Sequence, residues 1–318
     1  MTWMRGRLER MFQTPDPERL IEQPSGLWRG AARRLARRKT GVIGLSIILF
    51  MVLVALAAPL FAPYDPNKVL IGHEENITRR DPPCVHIFGC EDEKPQHVLG
   101  LDGNARDEFS RIIYGSRVSL SVGFSTVLVA FTIGASLGAV AGFWGGWTDN
   151  VIMRVMDVVL GFPALLLAIA IVAALGPGLR NTLLAIAIVS IPAYARVMRA
   201  SVLAIKELDF VAASRALGAS SIRILWTRVV PNALTPLVVI ATLGIATAIL
   251  DAAAFGFLGL GAQEPTAEWG SMLARERNQV FSAPHLVFFP GLAIMITVLG
   301  FNLLGDGLRD ALDPSLSE

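Results

Sequence analysis

Six long apolar blocks limit what this chain can fold into more than any other feature. They run at about 41–62, 118–143, 151–175, 181–197, 231–260 and 284–304. A helix rises 1.5 Å per residue, so about 20 apolar residues span the ~30 Å hydrocarbon core of a bilayer. In lipid, every backbone N–H and C=O must find its partner within the protein, which leaves helices or a closed barrel. A barrel needs short segments of alternating polarity, and these blocks do not alternate. Composition agrees: 53% of residues are hydrophobic and 17% charged, against about 25% charged in soluble domains. The expected fold is therefore an all-α integral membrane protein with six transmembrane helices. A net charge of +2 gives no sign of a nucleic-acid partner.

Glycine and proline mark the block ends. Pro63 and Asp65-Pro66 follow the first, Gly145-Gly146-Trp147 the second and Gly176-Pro177-Gly178 the third. Pro231 suits the first turn of the fifth, where its missing N–H costs nothing. The first block lacks a following small-residue cleavage site, so it reads as an anchor that stays. Residues 1–40 form a basic segment carrying ten Lys/Arg: Arg5, Arg7, Arg10, Arg19, Arg29, Arg33, Arg34, Arg37, Arg38 and Lys39. Positive flanks stay in the cytoplasm. Six crossings from there put both termini in the cytoplasm, together with 198–232 and its Arg199, Lys206, Arg215, Arg223 and Arg228. The 63–116 segment then lies outside, between the first helix (41–62) and a core domain (117–318). It is acidic on balance, with ten Asp/Glu against six Lys/Arg over 64–112.

The cytoplasmic loop reads as helix, glycine break, helix. Ala212, Ala213 and Ala216 favour a helix. Gly218 suits the left-handed position after its C-terminus, and Ser220 or Ser221 can cap the next helix. Ile222, Leu225, Trp226 and Val229 fall at three- and four-residue spacings, the pattern of an amphipathic helix running into Pro231. Asp251 lies inside the fifth block. A carboxylate at that depth is a functional candidate by default, with helix packing as the alternative. Asp157 has Arg154 one helical turn before it, and a local ion pair is expected. Gly134, Gly138 and Gly142 repeat every four residues, which lets membrane helices approach closely. Cys84 and Cys90 are expected to form a disulfide in an oxidising outer compartment. The histidines show no metal-ligand spacing. No Gly-x-x-x-x-Gly-Lys-Ser/Thr loop is present, and no nucleophile–base constellation argues for an enzyme.

The cytoplasmic loop is similar to the EAA loop of binding-protein-dependent ABC importer permeases. Ala212, Ala213 and Ser214 take its first three places, Gly218 its glycine and Val230-Pro231 its ending; Ala212 stands where the family has Glu. Further stretches resemble the C-type subunit of dipeptide and oligopeptide permeases. They are His97-Val-Leu-Gly-Leu-Asp102 with Arg106-Asp107, Ser110-Arg111-Ile-Ile-Tyr-Gly115, Met153-Arg-Val-Met-Asp157 through Pro163, Phe257-Leu-Gly-Leu-Gly261 with Trp269-Gly-Ser-Met-Leu273, and Phe301 to Pro314. The likeness runs from about residue 30 to the end. Ala105 departs from the glycine usual in that branch, and so does the cysteine-bearing insertion.

The resemblance implies a type I ABC importer permease fold in the cytoplasmic (inner) membrane. It implies a pore subunit for short peptides that pairs with a second homologous permease. Two ATPase subunits would hold ATP and Mg, with no cofactor in this chain, and an extracytoplasmic peptide-binding protein would deliver substrate. Asp209, Ala212, Ala213, Ser214, Arg215, Gly218, Ala219 and Ser220 would form the ATPase-coupling loop. The disulfide would fix a local shape for the docked binding protein. Glutathione or a metal chelate is an alternative substrate. An ion-coupled secondary transporter would need broken helices and midplane carboxylates, for which Asp251 is the single candidate.

Overall fold

A computed structural model describes residues 27–90 and 93–312. Arg5, Arg7, Arg10 and Arg19 of the basic segment, Glu91 and Asp92 of the outer loop, and Pro314 of the last motif lie outside them. The described residues are helical apart from loops and isolated bridges. In chain order the helices of eight residues or more are α1 (Leu27–Leu35), α2 (Lys39–Leu56), α3 (Glu108–Trp144), α4 (Gly146–Leu160), α5 (Ala164–Leu175), α6 (Leu179–Ile205) and α7 (Asp209–Ala216). They continue as α8 (Ser221–Phe257), α9 (Trp269–Glu276) and α10 (His285–Leu312).

Five of these, α2, α3, α6, α8 and α10, are long and apolar enough to cross a membrane, and α4 and α5 pass as a bent pair. The third block, expected as one span, is broken, with an 89° bend between α4 and α5. Gly161-Phe162-Pro163 lies at the break. Pro163 has no N–H to carry the α4 ladder onward and its ring clashes with the preceding turn. Its carbonyl instead accepts from Leu167 N at 3.0 Å as α5 begins.

The bent pair still runs from one end of the bundle to the other. At its start, Asp149 accepts two hydrogen bonds from Arg199 of α6, both 2.5 Å, and Lys206 donates to the Gly142 carbonyl at 3.0 Å. At its far end, Gly178 N and the Thr182 hydroxyl both donate to the Leu260 carbonyl at 3.0 Å. The pair thus counts as one crossing, and with the five long helices it gives six. Arg34 donates to the Ala311 carbonyl at 2.7 Å, which ties α1 to the end of α10.

The glycine repeat lets α3 and α6 pack closely. A Cβ on Gly134 would stand 2.7 Å from the Ile191 carbonyl, one on Gly142 2.9 Å from the Arg199 carbonyl, and one on Gly138 would overlap the Ala195 carbonyl. Close backbone approach of this kind holds membrane helices together where no hydrophobic force acts between them. Gly138→Leu is expected to force α3 and α6 apart and to cost about 2–3 kcal/mol through overpacking. A lower midpoint for thermal aggregation in detergent checks this; an unchanged midpoint refutes the contact. α2 packs on α10 in the same way, with Gly41 against Gly307 and Gly44 against Leu304.

α3 has 37 residues, about 55 Å at 1.5 Å per residue and well beyond the bilayer core. Its first turns therefore stand outside the membrane and carry the outer loop. Asp107 caps them by accepting from Ser110 N at 2.8 Å.

Candidate functional site

At the end of the bundle where α6 leads into α8, 209–220 forms a compact knuckle. Gly218 has φ +81°, a conformation in which only glycine avoids a Cβ penalty. Gly218 N donates to the Arg215 carbonyl at 3.0 Å and Ala219 N to the Ser214 carbonyl at 3.2 Å. These paired bonds close the C-terminus of α7 as a Schellman motif. Ser220 stands at the N-cap of the next helix, but its side chain makes no capping bond there; its carbonyl accepts the helix's first backbone bond from Ile224 N at 2.9 Å. Ser214 spends its hydroxyl on the Phe210 carbonyl at 2.7 Å. Asp209 opens α7 without capping it. Ala212, Ala213 and Arg215 are exposed, so the methyl at 212, where the family has Glu, leaves no buried charge unpaired.

The knuckle runs without a break into the membrane. α8 starts at Ser221, ten residues before the expected Pro231, and its hydrogen bonding widens into a π turn over Leu225–Val229. That turn changes which residues face inward. Ile224, Leu225 and Val229 are buried, whereas Ile222 and Trp226, expected on the apolar face, are exposed. The buried set packs with Val211 of α7, Ala135 and Ala139 of α3, and Met198 and Val202 of α6. The exposed set makes an apolar collar around the tip, with Leu217 89% and Ile222 63% exposed. Beside it, Ser214, Leu217, Ala219, Arg223, Thr227 and Arg228 line an open cleft of about 350 Å³. Exposed apolar side chains flanked by arginines, on a rigid support, are the features of a protein-docking surface.

At the opposite end, charges missed by sequence reasoning tie the outer loop to α9. Asp102 accepts from Arg106 Nε at 2.7 Å and from the backbone N–H groups of Asn104 and Arg106 at 2.8 and 2.9 Å. Arg111 lies 3.5 Å and Arg275 3.9 Å from the same carboxylate. Glu276 accepts from Arg80 Nε at 2.7 Å and from Gly103 N at 3.0 Å. Arg275 pairs with Glu264 at 2.7 Å. Glu268 caps α9 through Gly270 N and Ser271 N, both 2.8 Å, and Trp269 Nε1 donates to the Ile112 carbonyl at 3.0 Å. Burial pushes the Glu268 carboxyl up despite these donors. An acid just before Trp269 was the one sequence signal for this cap.

His97 is buried between Asp107, 3.0 Å from Nδ1, and Glu74, 3.1 Å from Nε2. Two carboxylates ask both ring nitrogens to donate, which only the imidazolium can do. Burial lowers the His97 pKa, but the hydrogen bonds and charges of Asp107 and Glu74 outweigh it and leave it above 6.5. Its stabilising contribution is therefore complete below pH 6.5 and lost as pH rises through the raised value. Ala105, the departure from glycine, adopts φ +54° and is fully buried. Its methyl packs with Leu70 and Leu101, which offsets part of the roughly 1–2 kcal/mol left-handed penalty. Cys84 and Cys90 are joined as a disulfide with Cα atoms 5.4 Å apart.

Two singled-out carboxylates lie elsewhere. Asp157 pairs with Arg196 of α6 at 2.6 Å rather than with Arg154, because α4 packs against α6. Asp251 is exposed on α8. Among the described residues, no group of three or more His, Cys, Asp or Glu is placed to hold a metal.

The chain and its fold have counterparts among known proteins. Residues 134–318 match the family described as binding-protein-dependent transport system inner membrane component, and residues 26–83 match the N-terminal TM domain of oligopeptide transport permease C. The chain is 47% identical to the dipeptide transport system permease protein DppC of Alkalihalophilus pseudofirmus, over 91% of this chain and 90% of that one. It is 45% identical to the di/tripeptide transport system permease protein DppC of Pseudomonas aeruginosa, over 96% and 98%. To the glutathione transport system permease protein GsiD of Pectobacterium atrosepticum it is 43% identical, over 91% of each. The inward-facing MetNI methionine ABC transporter matches in fold, with TM-score 0.52 at 20% identity, covering 64% of this chain and 96% of that chain. On this match of sequence, fold and six crossings, the chain belongs to the family of binding-protein-dependent transport system inner membrane components.

Proposed function

We propose that this chain is one of two pore subunits of an ATP-driven importer for short peptides. The observation that carries the reading is mechanical: the Gly218 knuckle, fixed on buried Val211, Ile224 and Leu225, continues through the π turn into membrane helix α8. A push on the knuckle reaches the membrane without a flexible linker. The exposed collar at Phe210, Leu217, Ile222 and Trp226 is where an ATPase subunit docks, and residues 209–220 form its contact. ATP and Mg belong to two such partners. A second, homologous permease completes the pore, and an extracytoplasmic binding protein docks on the outer loop, whose shape the Cys84–Cys90 bridge helps to hold. Similarity to dipeptide, di/tripeptide and glutathione permeases supports a peptide cargo. The knuckle and both termini lie on the cytoplasmic side.

The test is dipeptide uptake by the reconstituted complex in proteoliposomes. Uptake is expected to require ATP and the binding protein and to persist when ion gradients are collapsed. Uptake driven by an ion gradient without ATP would reject the ATP-driven reading.

A further inference from the structure

Asp251 stands on the exposed face of α8 with Thr247, Leu250 and Ala254, while Ala252, Ala253 and Phe255 on the other face are buried. It lies six residues before Phe257, about 9 Å down the helix from its outer end. No described residue forms an ion pair with it. A carboxylate at this depth does not face lipid; such groups face a water-filled cavity or a charge of opposite sign. Asp251 also sits on the one membrane helix that continues directly from the knuckle.

We infer that Asp251 lines the translocation path and holds the N-terminal ammonium of the peptide in transit, an inference that rests on the peptide-import reading above. Peptides of different sequence share few features, and the free ammonium is one that a single carboxylate can recognise. One ion pair without a surrounding cage suits a transport path. The site must be favourable enough to enter and weak enough to leave. Movement of α8 imposed at the knuckle displaces the carboxylate and releases the ammonium. No second carboxylate is needed, because the pair is temporary.

The experiment uses Asp251→Cys and Asp251→Asn in the full complex, reconstituted with the binding protein. The two native cysteines are joined to each other, so the introduced thiol is the reactive one. It is expected to react with water-soluble methanethiosulfonates, and saturating dipeptide should slow that reaction. The negatively charged sulfonatoethyl adduct should recover uptake, and the trimethylammonium adduct should not. Asp251→Asn should lower uptake at least about tenfold, the scale of one lost charged hydrogen bond, with the second permease still co-purifying. An unreactive thiol, labelling indifferent to peptide, or equal behaviour of the two adducts overturns the inference. So does loss of the second permease from Asp251→Asn, which would place the carboxylate at the subunit interface. A wild-type complex that carries no dipeptide overturns the import reading and this inference together. Normal dipeptide uptake by Asp251→Asn overturns the inference alone.

Discussion

Gly218→Arg is expected to reduce ATP-dependent uptake to background while leaving the chain in the membrane. At φ +81° any side chain brings left-handed strain of roughly 1–2 kcal/mol. Apart from its two chain neighbours, no described residue lies within 4 Å of where a Cβ would be, so an arginine would not clash with the described part of the chain. It would project from the tip into the space of the proposed ATPase contact. The α3–α6 packing and the bent α4–α5 pair do not depend on this turn, so insertion and pairing with the second permease should persist. Ala219→Ser, beside it, should be mild. Gly218→Ala separates the two causes, since it imposes the strain without the obstruction and should fall between. The measurements are membrane content, co-purification of the ATPase subunits and uptake. Normal uptake by Gly218→Arg with the ATPases bound would show that the knuckle is not the coupling element.

The spans were legible because hydropathy over about 20 residues reports directly on burial in lipid. The ends of the helices that carry them were not, for reasons visible at single residues. α3 begins at Glu108 rather than near Val118, because its first turns lie outside the bilayer and are polar, and Asp107 supplies the cap. Pro231 read as the start of a helix, yet it lies inside α8. Just before it, Val230 N bonds the Leu225 carbonyl across the wide turn, which shifts the bonding register where the proline offers no donor. The bend at 161–163 was hidden because summed hydropathy is blind to direction. The glycine of the knuckle was legible, since φ above zero is a local demand. The ion cluster around Asp102 was not. Its members come from 80, 102, 106, 111, 264, 275 and 276, and only the fold brings them together.

That cluster gives the second large effect. Asp102→Ala is expected to unfold the outer loop locally while the membrane bundle stays intact. Asp102, Arg106 and Arg111 are all 3% exposed or less. Removing the carboxylate leaves two buried guanidinium groups without their shared counter-charge, Arg106 keeping only the half-exposed Glu264 at 3.6 Å, a change that costs about 3 kcal/mol. It also strips the acceptor from Asn104 N and Arg106 N, which hold the turn carrying the left-handed Ala105. Faster amide hydrogen exchange over 97–107, with exchange in α6 and α8 unchanged, is the expected signature. Glu264→Gln is the control. That carboxylate is half exposed, so losing its pairs with Arg275 at 2.7 Å and with Arg106 at 3.6 Å should cost about 1 kcal/mol, well below the loss from Asp102→Ala. Combining Asp102→Ala with Arg106→Met should restore part of the protection, since a charge left without a partner costs more than an apolar replacement. Because the binding protein docks on this loop in the proposed complex, Asp102→Ala should lower uptake with the ATPases still bound, the opposite pattern from Gly218→Arg. Unchanged exchange over 97–107 in Asp102→Ala would mean that the loop is held by its apolar contacts at Leu70, Leu101 and Ala105 and that the charges are incidental.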